Sequence, residues 1–147
     1  MNSFHLLKIA VGALLPVVVA CGDNGPSSPA TSFTATLSGA NEVPPVTTDA
    51  TGSATVDIKP DRSVTAKVTV SGMTATASHI HEAAAGANGP VIVPFTKTAD
   101  NTFEAAPGAM LTEAQYQSYK EGKLYVNVHS AKNPGGEVRA QLKGDGM

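Results

Sequence analysis

The sequence predicts an all-β domain, a sandwich or a barrel of short strands with one short helix inserted late in the chain. Apolar and polar residues alternate with period two through most of the chain after residue 31, as in "TSFTATLSG" and "VTAKVTVSG", the pattern of half-buried strands. Gly, Pro, Asn and Asp separate nearly all of these runs, and many short strands at regular spacing indicate a sandwich or barrel. Helix signals with both a start and a stop occur once, in "LTEAQYQSYKEGK".

The N-terminal segment stands apart from this pattern. Lys8 precedes the apolar run "IAVGALLPVVVA", and Cys21 follows directly. The run is short for a membrane span, which needs about 20 apolar residues, so residues 1–20 read as a secretory signal. "VVAC" has the form of a bacterial lipobox, in which a small residue precedes the cysteine that is lipidated. Cys21, the only cysteine of the chain, is therefore the expected lipid anchor. Residues 21–31 are rich in Gly, Ser, Pro and Asn without periodicity, the composition of a flexible tether. Residues 32–143 form the domain. Gly22 in place of Asp after Cys21 fits sorting to the outer membrane, facing the periplasm, in a Gram-negative cell.

Within the domain, the first strand carries Phe33, Ala35 and Leu37 on one face. Pro44 and Pro45 in "NEVPPV" keep the next segment out of a regular ladder. "GSATVDIKPDRSVTAKVTVSG" is a hairpin with Pro60 and Asp61 in its turn. "ASHIH", "VIVPFTKT", "NTFEA", "KLYVNVHS" and "GEVRAQL" supply the remaining strands. Thr112 stands three residues before Gln115 as a capping box, and Gly122 ends the helix. Tyr116 and Tyr119, three apart on it, are expected to cover an edge of the β-structure.

Composition removes several classes of function. With 10 Lys+Arg against 12 Asp+Glu and a net charge of −2, and no basic cluster, nucleic acid is not an expected partner. A single cysteine allows no internal disulfide. There is no Gly-X-Ser-X-Gly elbow and no Gly-rich phosphate loop. The length suits one modest core, and a monomeric domain is expected.

The histidines carry the remaining chemistry. His5 lies in the signal segment; His79, His81 and His129 are the other three. In "SHIHE", alternation sends Ile80 to the core and His79 and His81 together to the opposite face. In "KLYVNVHS", Leu124, Val126 and Val128 face one way and Tyr125, Asn127 and His129 the other. If the two strands approach, three imidazoles converge on one point, a ligand set suited to Cu, Zn, Fe or Ni. Unrelated surface histidines are the competing reading. Glu42, Glu82, Asn127, Glu137 and Arg139 are the candidates for supporting the histidines from behind, Glu42 by a hydrogen bond. Glu137 and Arg139, two apart on one strand face, have surface pairing as their plain alternative.

"LSGANEVPPVTTDATGSATVDI", "SHIHEAAAGANGPVIV" and "LYVNVHSAKNPGGEVRAQL" together resemble the CHRD domain, over nearly all of residues 33–142. The resemblance implies an immunoglobulin-like Greek-key β-sandwich distantly similar to copper/zinc superoxide dismutase, with no settled biochemical activity. "HIHE" and "NVHS" are similar to the two places where dismutases supply copper ligands, through His79, His81 and His129. Arg139 matches loosely the late arginine that guides the anion. The bridging histidine, the zinc ligands and the cysteine pair of dismutases have no counterpart. The expected function is a binding or interaction module, anchored outside the cytoplasm through Cys21 and facing an unidentified cell-envelope partner. It carries a possible three-histidine site for copper, with zinc as the alternative metal. A copper-dependent redox enzyme and an adhesion domain without metal remain the other readings.

Overall fold

The computed structural model describes residues 32–144; the expected signal segment, tether and lipidation site at Cys21 lie outside them. The described chain is all-β apart from one α-helix and one 3-10 turn. The strands are β1 (Phe33–Ser38), β2 (Thr51–Ile58), β3 (Val64–Ser71), β4 (Ala75–Glu82), β5 (Val91–Ala99), β6 (Thr102–Ala105), β7 (Leu124–Ser130) and β8 (Val138–Gln141), with α1 (Glu113–Lys120) between β6 and β7.

The strands close on themselves in the order β1-β2-β3-β6-β5-β4-β7-β8, every described pairing is antiparallel, and the seam is the pair Ser38 and Arg139. The expected all-β fold with one inserted helix is present, and of sandwich and barrel the described strands form the closed barrel. A sandwich leaves strand edges unpaired, whereas here the last strand, β8, bonds both β7 and β1, so the ladder ends on itself.

Alternation explains which residues fill the barrel. Leu37, Ala54, Val56, Val68, Ile80, Val93, Phe103, Leu124, Val126, Val128, Val138 and Ala140 are buried in one cluster. The hairpin read at Lys59–Arg62 is present: β2 and β3 pair from Thr51↔Ser71 to Ile58↔Val64. Asp61 Oδ1 accepts from the Ser63 amide at 2.9 Å and closes the turn.

The helix begins at Thr112. Its side chain accepts from the Gln115 amide while the Gln115 side chain accepts from the Thr112 amide, the full capping box. Tyr119 and Leu111 are buried and Tyr116 packs against the same cluster, so the helix lies against the core; the closed ladder of described strands leaves no edge for its tyrosines to cover.

On the outer side of β4-β7-β8 the polar half of the alternation gathers. His79 pairs with Asn127 and His81 with Tyr125 across β4 and β7, and Asn127 pairs with Arg139 and Tyr125 with Gln141 across β7 and β8. The irregular segments 39–50 and 83–90 run over this side, held together by Asn88 Nδ2 donating to the Val43 carbonyl at 2.7 Å.

Candidate metal centre

His129 pairs in register with Ala77, one alternation step from His79, so the three imidazoles point to the same side of two bonded strands. Ring centroids lie 5.5 Å apart for His79 and His81, 4.9 Å for His79 and His129, and 5.9 Å for His81 and His129. One nitrogen from each ring falls within 4.8 Å of the others. Three nitrogens around one ion at 2.0–2.1 Å stand about 3.3–3.6 Å apart, so the rings must draw together by up to about 1.3 Å to seat an ion.

Backbone carbonyls set which nitrogens face inward. His81 Nδ1 lies 2.9 Å from the Gly89 carbonyl and His129 Nδ1 lies 2.9 Å from the Pro134 carbonyl. A carbonyl only accepts, so in the neutral rings both protons sit on Nδ1 and both Nε2 atoms carry lone pairs. His129 Nε2 is 3.1 Å from His79 Nδ1. His81 Nε2 is buried without a well-formed hydrogen bond, the Asn127 side chain being its polar neighbour. An orphaned buried acceptor is costly, and a metal ion is one group that would satisfy it.

The segment that supplies the Gly89 carbonyl explains the turn residues of "AAAGANGP". The Glu82 amide donates to the Pro90 carbonyl at 3.1 Å, folding the loop tightly back on the end of β4. A Cβ on Gly89 would overlap the Glu82 carbonyl, so only glycine fits where the loop meets His81.

Protonation favours ligation. Burial, then the neighbouring His129 and His81, push the His79 pKa down to about 4. Burial also lowers that of His81, against the hydrogen bond to Gly89. His79 is therefore neutral at pH 7, with a proton on one ring nitrogen and a lone pair on the other; with His129 Nε2 as acceptor the proton sits on Nδ1, and it would have to move to Nε2 for Nδ1 to take an ion.

Asn127 lies beside His81, as expected of a supporting residue, while the three glutamates take places that differ from the sequence expectations. Glu42 is 5% exposed and lies not on a histidine but beside Asn127, the two side chains meeting at Gly136, where a Cβ would come within 2.6 Å of Asn127 Nδ2. Burial raises its pKa to about 7, against the pull of Arg139, Asn127 and Val43. Glu82 turns away from the histidines and accepts from Ser118 Oγ at 2.6 Å, docking the helix. Glu137 does not pair with Arg139: it precedes β8 and accepts from Thr48 Oγ1 at 2.7 Å and from Ser130 Oγ, tying the segment after β1 to the loop after β7.

Arg139 is 1% exposed, so it does not meet an anion arriving from solvent as the dismutase comparison implied. Its guanidinium lies 3.4 Å from the centre of the Tyr125 ring. That ring in turn stacks on His81, 4.8 Å away and 7° from parallel. Tyr125 Oη accepts from the Gly89 amide at 3.2 Å. Sequence reading placed Tyr125 on the histidine face but gave it no role; the β7–β8 register that brings it under Arg139 has no signal in either strand alone.

The sequence model of the CHRD domain matches residues 33–142. The chain belongs to the CHRD family. The match spans all eight strands, the helix and all three histidines of this CHRD domain. No curated protein and no solved structure gives a significant match to the chain.

Proposed function

We propose that this CHRD domain is an extracytoplasmic metal-binding module, held to a membrane by a lipid on Cys21, in which His79 Nδ1, His81 Nε2 and His129 Nε2 hold one copper ion. The observation that carries the reading is the convergence of three imidazoles on one point, with His81 Nε2 buried there without a well-formed hydrogen bond while its other nitrogen is tied to a carbonyl. Carbonyl acceptors behind metal-bound histidines fix the tautomer and the ring direction, and two of the three rings have them. Three neutral nitrogens leave a further coordination position for water or a partner's ligand. Copper stands above zinc for such a donor set in the general affinity order. The apolar run before "VVAC" supports export and lipidation, and Gly22 supports the periplasmic face of an outer membrane.

Calorimetry of the purified, metal-stripped protein with Cu(II) and Zn(II), beside His81→Ala and His129→Ala, tests the centre. One ion per chain is expected, bound more tightly as copper and lost in both variants. Binding that survives both substitutions would place the metal elsewhere and end the proposal.

A further inference from the structure

Behind the histidines lies a buried charge that the binding of a metal does not itself require. Strand β7 stands between β4 and β8, so Tyr125 separates His81 from Arg139, with the imidazole stacked toward β4 and the guanidinium held toward β8. The guanidinium keeps its charge in proteins. Its hydrogen bonds go to uncharged acceptors: Asn88 Oδ1 at 3.2 Å, Gln141 Oε1 at 3.3 Å and the Ala84 carbonyl at 3.5 Å.

Carboxylates that would cancel this charge are turned elsewhere. Glu137 is engaged by Thr48 and Ser130, and Glu82 by Ser118. Glu42 is the carboxylate whose charge acts on Arg139, and burial keeps its pKa at about 7. The three ligands bring no negative charge either. An ion at the histidines therefore faces the Arg139 charge across Tyr125, with Glu42, largely ionised at pH 8, as a partial counterweight, in an interior where charges are weakly screened.

From this arrangement we infer that the CHRD site is built for monovalent copper, with the Arg139 guanidinium on the Tyr125 ring disfavouring the divalent ion. The inference rests on the three-histidine reading and adds the oxidation state of its ligand. Each extra positive charge on the ion is opposed by Arg139, so Cu(II) loses affinity relative to Cu(I). Geometry acts in the same direction, because Cu(II) prefers a tetragonal ligand set and three imidazoles from two adjacent strands form a triangle.

The test measures both affinities separately. Chromophoric chelators compete for Cu(I) under anaerobic conditions and for Cu(II) in air, at pH 8, using wild type, Arg139→Gln, Arg139→Lys and Glu42→Gln. Wild type is expected to hold Cu(I) more tightly than Cu(II). Arg139→Gln should tighten Cu(II) about tenfold and leave Cu(I) within about threefold, lowering the site's potential by about 59 mV for that one-electron tenfold change. Arg139→Lys keeps the charge and should stay near wild type. Glu42→Gln removes the opposing carboxylate and should weaken Cu(II) in particular, and it decides the matter should the arginine variants fail to fold. Equal changes in both affinities would mean that Arg139 only holds the fold, and would overturn the inference while leaving the metal site standing. Failure of wild type to bind either ion overturns both.

Discussion

At the scale of single residues, the site is decided by what lies behind each histidine. Alternation along "SHIH" and "VNVH" made the common face of His79, His81 and His129 legible, because side-chain direction in a strand follows from parity alone. The acceptors at Gly89 and Pro134 were not legible, since a backbone carbonyl leaves no mark in the sequence. Glu42 was read as a partner of histidine and is instead a buried acid beside Asn127, with a pKa of about 7 against an ordinary 4.5. A carboxyl whose pKa is raised on folding contributes stability that is complete below the unfolded value and is lost as pH rises through the folded one. Glu42→Gln, neutral throughout, should therefore gain on wild type by about 2 kcal/mol between pH 5 and pH 8. Urea unfolding at the two pH values measures this, and an unchanged difference between the proteins would count against a buried acid. His79 has the opposite sign: its pKa falls from 6.5 to about 4 on folding, so the metal-free protein loses this contribution as pH drops through that interval. The two slopes oppose each other between pH 4.5 and 6.5, and removing Glu42 should expose the histidine slope.

At the scale of elements, the helix and the β2–β3 hairpin were readable because their determinants are local. Thr112, Gln115 and Gly122 lie within one short segment, and Pro60 and Asp61 within one turn. The loop 83–90 was read only as a turn, and its task of carrying the Gly89 carbonyl to His81 and the Gly89 amide to Tyr125 emerges from the β4–β7 register. Two substitutions separate these functions. Thr112→Ala removes a helix cap whose bonds run to Gln115 and should cost about 1 kcal/mol with metal affinity unchanged. Gly89→Ala forces the loop off the Glu82 carbonyl and should cost about 1–3 kcal/mol while also weakening copper at least tenfold, the order of loss expected when a group orienting a metal ligand is removed. Denaturation and metal titration of both variants read the contrast. Equal metal affinity in the two would show that the loop does not orient His81.

At the scale of the whole molecule, periodicity and turn residues announced β-structure without saying how the strands close. Sandwich and barrel share the same inward alternation, and they differ only in whether β1 meets β8, a contact between the two ends of the domain. That closure matters for the site, because it seats Arg139 at the seam, where Asn41 Nδ2 donates to its carbonyl at 3.1 Å. The histidines then belong to two neighbouring strands, β4 and β7, that are distant in sequence and joined through β5, β6 and the helix. An ion shared by His79, His81 and His129 links those strands in the folded state and has no preformed site in the unfolded chain, so its binding free energy adds to stability. With free Cu(I) at about a hundred times Kd, the gain is about 2.7 kcal/mol, or about 10 °C in melting temperature for a domain of this size. Anaerobic thermal melts should show that rise in wild type and lose it in His129→Ala. Cys21→Ala, which removes the proposed lipid attachment, should keep the full rise while the protein leaves the membrane fraction. A Cys21→Ala protein that lost the copper-dependent rise would tie the ion to the anchor instead of to the β4–β7 pair.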